Sequence, residues 1–208
     1  MKKTFLFLSS LLAGVSTTIA QNADTDNYSR FELSYASTKF SYQNLDDDTN
    51  GFSAGFLWGD NLSANLPLFV EYGFNLTYVI GKDEASDTYY GTAKETDKFL
   101  NVALPLNLAY KIALADNVSL VPFAGLNFKV NLVGKAEMEA TGYSNVTLDF
   151  FDDEEVENTA KRFQLGANVG LGLNINNVYV GYRFQPDFIE YVDNLKTKTH
   201  YISLGLNF

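Results

Sequence analysis

The stretch Phe163–Ile175, FQLGANVGLGLNI, decides the fold. Its seven odd-numbered positions, Phe163, Leu165, Ala167, Val169, Leu171, Leu173 and Ile175, are all apolar, and the six between them are Gln, Gly or Asn. A period of two describes a strand with one oily and one polar face. At roughly 3.3 Å per residue and a lean of about 45°, these 13 residues cover ~30 Å, the hydrocarbon depth of a bilayer. Strands of soluble domains commonly run to about half that length.

The chain opens with Met1, Lys2 and Lys3, continues with an apolar run from Thr4 to Val15, and leaves through the small residues Ser16, Thr17, Thr18, Ile19 and Ala20. This pattern predicts a secretory signal peptide over residues 1–20, cut between Ala20 and Gln21, because Thr18 and Ala20 fill the small positions that a signal peptidase requires. The run falls short of the ~20 residues of a spanning helix. The 208-residue chain has no cysteine, which excludes a lipoprotein anchor and disulfide staples. Without the signal 188 residues remain, enough for one domain, and the loss of Lys2 and Lys3 leaves 13 basic against 25 acidic residues, a charge near −12. That balance argues against a nucleic-acid partner. No later apolar stretch suits a helical span, so crossing a membrane requires a closed barrel.

Residues 21–28 read as a short polar lead-in on the periplasmic side. Eight strands are then predicted. The first, Ser29–Tyr42, alternates through Phe31, Leu33 and Tyr35 and slips phase at Ser37 and Lys39, as a bulge or emergence from the membrane would cause. The second is Phe52–Trp58, the third Leu66–Ile80, the fourth Leu100–Ile112 and the fifth Val118–Leu132, with Pro122 as a local conflict because it removes one ladder donor. The sixth is Phe163–Ile175, the seventh Val178–Phe184, and the eighth carries Ile202, Leu204, Leu206 and Phe208 in phase. Gln43–Gly51, Gly81–Lys98, Gly134–Lys161 and Pro186–Thr197 read as loops. Gly59–Asn65, Asp116-Asn117 and Asn176-Asn177 read as turns. Mostly long connections alternate with mostly short ones, which puts the short turns at a periplasmic rim and the long loops outside.

Alternation also suits a secreted sandwich or a lipocalin-like barrel, so the faces decide. The oily positions of the second to eighth strands hold no charge. Glu32, Glu71, Lys111, Lys129 and Arg183 fall on the other face, among Gly, Asn, Ser and Gln. That composition makes a poor dry core, and a solvated outer face would carry more Lys and Glu. Trp58, Tyr72, Tyr110 and Phe208 suit a periplasmic aromatic girdle, and Phe52, Tyr78, Phe163 and Phe184 an outer one.

With its signal peptide, eight amphipathic strands and closing HYISLGLNF, the chain resembles the outer-membrane β-barrel domain family, the small OmpA/OmpX-like barrels often labelled porin family. The resemblance covers nearly all of the mature chain. It implies that the terminal strand, through Ile202, Leu204, Leu206 and Phe208, is what the barrel-assembly machinery recognises. No peptidoglycan-binding domain follows, unlike in the two-domain members.

An eight-stranded barrel is about wide enough inside for side chains to fill it. Glu32 and Glu71 are therefore expected to pair in the lumen with Lys111, Lys129 or Arg183, as a plug or, in the functional alternative, a gated pore. Asp46, Asp48, Asn50 and Gly51 match the first half of a calcium loop, but Leu57 stands where the closing Glu belongs, and solvated turn residues are the expectation. The acids Asp149, Asp152, Asp153, Glu154, Glu155 and Glu157 suit a solvated loop, divalent ions or a basic partner. His200, the single histidine, lies where some barrel acylases and deacylases carry theirs; Ile202 two positions on leaves no serine beside it along the strand.

The fold predicted is all-β: an eight-stranded antiparallel up-and-down transmembrane β-barrel over residues 29–208, monomeric, in a Gram-negative outer membrane. It is expected to be non-enzymatic and without a cofactor or metal site, and to act structurally or by adhesion through Gly134–Lys161 and Gly81–Lys98. Its expected partners are outer-membrane lipid and lipopolysaccharide, the assembly machinery and an extracellular ligand. A narrow channel for small solutes is the second reading, and a lipid-modifying enzyme the third.

Overall fold

The computed structural model describes residues 25–42, 45–87, 91–140, 145–151, 160–192 and 195–208. The signal peptide with its Ala20–Gln21 cut, the first half of the lead-in (residues 21–24) and the acidic run from Asp152 to Glu157 lie outside them. Ten strands follow in chain order: β1 (Tyr28–Tyr42), β2 (Leu45–Asn61), β3 (Leu68–Asp87), β4 (Gly91–Tyr110), β5 (Ile112–Ala115), β6 (Val118–Ala140), β7 (Val146–Asp149), β8 (Phe163–Ile175), β9 (Val178–Pro186) and β10 (Leu195–Asn207). Eight of them close a ring in the order β1, β2, β3, β4, β6, β8, β9, β10, and every pairing is antiparallel. Closure rests on β1 and β10, in register from Arg30↔Asn207 to Tyr42↔Leu195.

The register fixes the shape. From Tyr28 the partners lead through Gly59, Glu71, Asn107 and Gly125 to Asn168; the β8–β9 register, set by Val169↔Phe184 and Gly166↔Asp187, carries the path to Gln185, and Thr199 returns it to Thr38, ten residues further along β1. Eight strands with a shear of ten residues lean at roughly 40°, the tilt of a barrel whose interior is filled by side chains. Ile202 and Leu204 point outward with 62 % and 61 % of their surface exposed, while Ser203 between them is buried. The outer aromatics sit as pairs: Trp58 opposite Tyr72, with rings stacked at 5.9 Å, and Phe52 opposite Tyr78.

The strands run further than hydrophobic alternation indicates. Gln43–Gly51 and Gly81–Lys98, read as loops, are largely hairpin: β2 starts at Leu45, and β3 and β4 stay paired out to Asp87↔Gly91. Gly134–Lys161 likewise begins as strand, with β6 reaching Ala140 and β7 pairing against it. Outside the hydrocarbon both faces meet water, so the period-two signal vanishes while the ladder continues. The phase slip in β1 is no bulge, since both its registers are continuous; Ser37 and Lys39 keep the outward side, and Phe40 turns inward. The register shift falls instead between β4 and β6 at Leu100/Asn101, with Leu132 as the extra residue. The Pro122 conflict is absorbed: the β4–β6 ladder stops at Ala109↔Phe123 and resumes as β5 at Ile112↔Leu120, a gap opposite the missing N–H.

Asn117 and Asn176, at φ 63° and 53°, make two tight turns at the rim that also holds Phe208, and the Asn176 N–H donates to the Asn117 carbonyl at 2.7 Å. Gly172 and Gly181 leave room for one ring: a Cβ on either would stand 2.2 or 2.3 Å from Tyr179. Substituting Gly181→Val is expected to destabilise the folded barrel by about 1–3 kcal/mol through overpacking, read as a lower midpoint of denaturant unfolding in detergent micelles.

Candidate functional site

Inward positions of the strands build the lumen in layers. Nearest the rim of the tight turns, β1 brings Tyr28, Arg30 and Glu32 to the axis, where β3 supplies Glu71 and β9 Arg183. Glu71 accepts from the Tyr28 hydroxyl at 2.5 Å and from Arg30 Nη2 at 3.0 Å. Glu32 accepts from Arg30 Nε at 3.3 Å and from Arg183 Nη1 at 3.2 Å. The two guanidinium groups lie over aromatic faces, Arg30 at 3.9 Å from the Tyr179 centroid and Arg183 at 4.2 Å from that of Tyr201. Lys111 closes the layer with its ammonium 5.2 Å from the Tyr28 ring and 5.3 Å from that of Phe69. Arg30 and Arg183 thus neutralise Glu32 and Glu71 where a lone charge would be costly, and Lys111 is the third cation of the layer, set against ring faces.

Amides and hydroxyls fill the middle. Asn168 Nδ2 donates to Asn107 Oδ1 at 2.9 Å, the Ser34 and Ser203 hydroxyls share a bond of 2.7 Å, and Thr77 donates to Ser53 at 2.9 Å. Asn75 and Asn127 are also buried, and amide atoms of Asn75, Asn127 and Asn168 have no side-chain or backbone partner among the described residues. Such groups are ordinarily satisfied by internal water.

Further out, Lys129 pairs with Asp187, which also accepts from the Thr197 hydroxyl. Above them an apolar cluster crosses the mouth. Phe99 lies 4.9 Å from Phe40, stacks on Phe150 at 5.7 Å and meets Tyr191 edge-on at 6.1 Å; Tyr191 also meets Phe151 at 5.9 Å. The backbone holds these rings in place: Phe150 N–H donates to Gly134 O at 2.9 Å, Ala160 N–H to Phe150 O at 3.0 Å and Lys161 N–H to Tyr191 O at 2.8 Å. Gly134 has to be glycine, since a Cβ there would come within 2.8 Å of both Phe151 and Tyr191. Burial, with Asp149 and Asp97 nearby, pushes the Tyr191 hydroxyl well above its ordinary value, so it stays protonated.

All five charges singled out from the sequence, Glu32, Glu71, Lys111, Lys129 and Arg183, are buried in the lumen, though in separate layers: Lys129 reaches neither Glu32 nor Glu71, and pairs with Asp187. Three partners escaped that reading. Arg30 and Tyr28 stand at the very start of β1, and Asp187 lies in what reads as a loop. Arg30 was detectable as the residue two before Glu32 on the same face.

Other candidates disperse. Asp48 and Asn50 sit on a continuous strand, Asp48 at 3.7 Å from Lys39, and the Asp46 side chain lies outside the described residues. Among the described residues no group of three His, Cys, Asp or Glu side chains suits a metal. Asp149 lies 3.8 Å from Lys135. His200 faces outward, Nδ1 2.7 Å from the Tyr182 hydroxyl, with the Phe184 ring 4.8 Å away. Its cross-strand partner is Ser37, a neighbour that a scan along one strand does not reveal. No hydrogen bond joins the two, and among the described residues no carboxylate orients the imidazole, so the pair lacks the geometry of an activated nucleophile.

Replacing Arg30 by Ala strands Glu71 and Glu32 without their shared cation; the expected cost is about 3–5 kcal/mol. Denaturant titration of the refolded barrel measures it, and Arg30→Met with Glu71→Met is expected to recover much of the loss.

A sequence model of the family described as "Outer membrane protein beta-barrel domain" matches residues 5–208. No curated protein sequence matches the chain. Among solved structures, Ail, the attachment invasion locus protein of Yersinia pestis, in complex with the heparin analogue sucrose octasulfate, superposes with a TM-score of 0.52 at 14% identity, over 88% of this chain and 99% of that one. Neisserial surface protein A follows with a TM-score of 0.45 at 16% identity, covering 86% of this chain and 95% of that one. The outer membrane protein OprG of Pseudomonas aeruginosa gives 0.42 at 10% identity, covering 91% and 99%.

Proposed function

This chain belongs to the outer membrane protein β-barrel domain family, and from that premise we propose that it is a monomeric, non-conducting and non-enzymatic barrel of a Gram-negative outer membrane with a structural or adhesive role. The signal over residues 1–20 exports it, cleavage falls between Ala20 and Gln21, the lead-in expected over residues 21–28 ends at Asn27 because Tyr28 already pairs with Gly59 in β1, and residues 28–208 make the barrel. Ile202, Leu204, Leu206 and Phe208 present the terminal strand to the assembly machinery. Lipopolysaccharide surrounds the barrel, and the β3–β4 hairpin with the β6–β7 segment meets the extracellular partner.

The occupied lumen carries this reading. The Arg30, Glu32, Glu71 and Arg183 network obstructs one end and the Phe40, Phe99, Phe150, Phe151 and Tyr191 cluster the other. A barrel closed at both ends serves as a mount, and the hairpins are the parts left to touch something. The amide-lined middle favours a second reading, a narrow channel for small solutes, because Asn75, Asn127 and Asn168 offer polar atoms to water.

Liposomes carrying the purified protein are expected to swell in small sugars no faster than empty ones; fast swelling, or a large stable single-channel conductance, selects the channel. Trimming both Phe150 and Phe151 to Ala is expected to leave folding intact and conductance no higher than that of empty bilayers, because the Arg30, Glu32, Glu71 and Arg183 network still obstructs the other end. Deleting the β3–β4 tip is expected to abolish binding to host cells or matrix without loss of insertion. Lipid A mass spectra from cells are expected to be the same with the protein, without it, and with His200→Ala or Ser37→Ala; a modification lost in either variant would make the protein an enzyme.

A further inference from the structure

Twice on the outer part of the barrel, lysines stand directly opposite one another across a strand pair: Lys98 on β4 faces Lys135 on β6, and Lys39 on β1 faces Lys198 on β10. Like charges so placed repel. At the first place the chain answers both, with Glu137 at 2.5 Å from Lys98 and Asp149 at 3.8 Å from Lys135. At the second, Asp48 lies 3.7 Å from Lys39, while among the described residues no acid pairs with Lys198 or with Lys196, two positions further out on the same side of β10. The first rim position therefore balances both of its lysines, whereas at the second Lys198 and Lys196 meet no acid among the described residues, on a protein that is acidic as a whole.

The location says what neutralises it. Lys198 and Lys196 continue the outward row of Leu206, Leu204, Ile202 and His200, and Lys39 continues that of Phe31, Leu33, Tyr35 and Ser37. The lysines thus begin where the oily row ends, at the headgroup level of the leaflet that the hairpin ends enter. Directly below them, Tyr182, Phe184 and His200 form an outward shelf of rings. An anion held here has to be tethered in the bilayer, with its charge at the interface and its body against the shelf.

We propose that Lys39, Lys196 and Lys198 form a binding site for the phosphorylated glucosamine headgroup of lipopolysaccharide, with the rings of Tyr182, Phe184 and His200 packing beneath it. This rests on the outer-membrane reading above, with the hairpin ends outside. The ammonium groups supply charge-assisted hydrogen bonds to phosphate oxygens, and the anion between Lys39 and Lys198 removes the repulsion built into their register.

The test titrates the full mature chain, folded in detergent micelles, with bis-phosphorylated lipid A, with the same lipid A stripped of phosphate, and with phosphatidylglycerol, counting bound lipid by native mass spectrometry. Bis-phosphorylated lipid A is expected to bind roughly tenfold tighter than the stripped form. Lys39→Gln with Lys198→Gln is expected to bring that ratio close to one, whereas Lys98→Gln with Lys135→Gln leaves it unchanged. The proposal is overturned if the Lys39/Lys198 variant keeps the preference, if the unmodified chain has none, or if phosphatidylglycerol binds as tightly as phosphorylated lipid A. Heat-dependent gel migration checks that each variant is folded. Labelling of Lys94, exposed on the β3–β4 hairpin and outside the proposed site, by an impermeant amine reagent on intact cells checks orientation separately, so a reversed barrel is distinguished from a barrel indifferent to phosphate.

Discussion

A strand in hydrocarbon has no water to satisfy its peptide groups, and the pairing of β1 with β10 is how this chain answers that constraint. Each of the other six ring strands finds partners among its near neighbours in sequence; only this seam joins the two ends of the chain. Its register, Arg30 against Asn207, sets the shear at ten residues, and the shear sets the tilt and the bore. A slip of one residue at the seam would turn Arg30, Glu32 and Ser34 toward lipid and Phe31, Leu33 and Tyr35 toward the lumen.

With the bore fixed, the contents of the lumen follow from size and charge. Arg30 and Arg183 are long enough to cross the narrow interior, and planar enough to stack on Tyr179 and Tyr201 while bonding Glu71 and Glu32. Gly172 and Gly181 keep the wall thin where Tyr179 lies. At the outer mouth polar strand faces give way to aromatic ones, and Phe40 and Phe99 meet Phe150 and Tyr191 folded in from the connections. The barrel is therefore charged at one end, amide-lined in the middle and apolar at the other end. The outside is organised differently, by a lipid belt whose edge beside β1 and β10 is marked by lysines in place of more oily residues.

Sequence patterning was most informative where one face of a strand meets lipid. The core of every ring strand, from Phe31 to Tyr35 through to Ile202 to Leu206, was legible because hydrocarbon tolerates no polar residue there. The hairpin ends of β2, β3, β4 and β6 were not, because beyond the bilayer both faces meet water and alternation carries no information. The same limit hid Asp187, which sits past the last oily residue of β9. Glu32, Glu71, Lys111, Lys129 and Arg183 could be placed inside by parity alone.

What the chain determined by itself, then, is the class of fold, the side of each strand that meets lipid, and the identity of most charges in the lumen, since period two and a water-free solvent leave one solution. Only the tertiary structure decided who pairs with whom. Lys129 takes Asp187 rather than either glutamate, Arg30 bridges Glu71 and Glu32, Ser37 comes to lie beside His200, and Lys39 beside Lys198. Those neighbours are set by shear and closure, which bring together Arg30 and Glu71, 41 positions apart, as well as Lys39 and Lys198 from the first and last strands of the barrel, and leave no trace in the local periodicity of either strand.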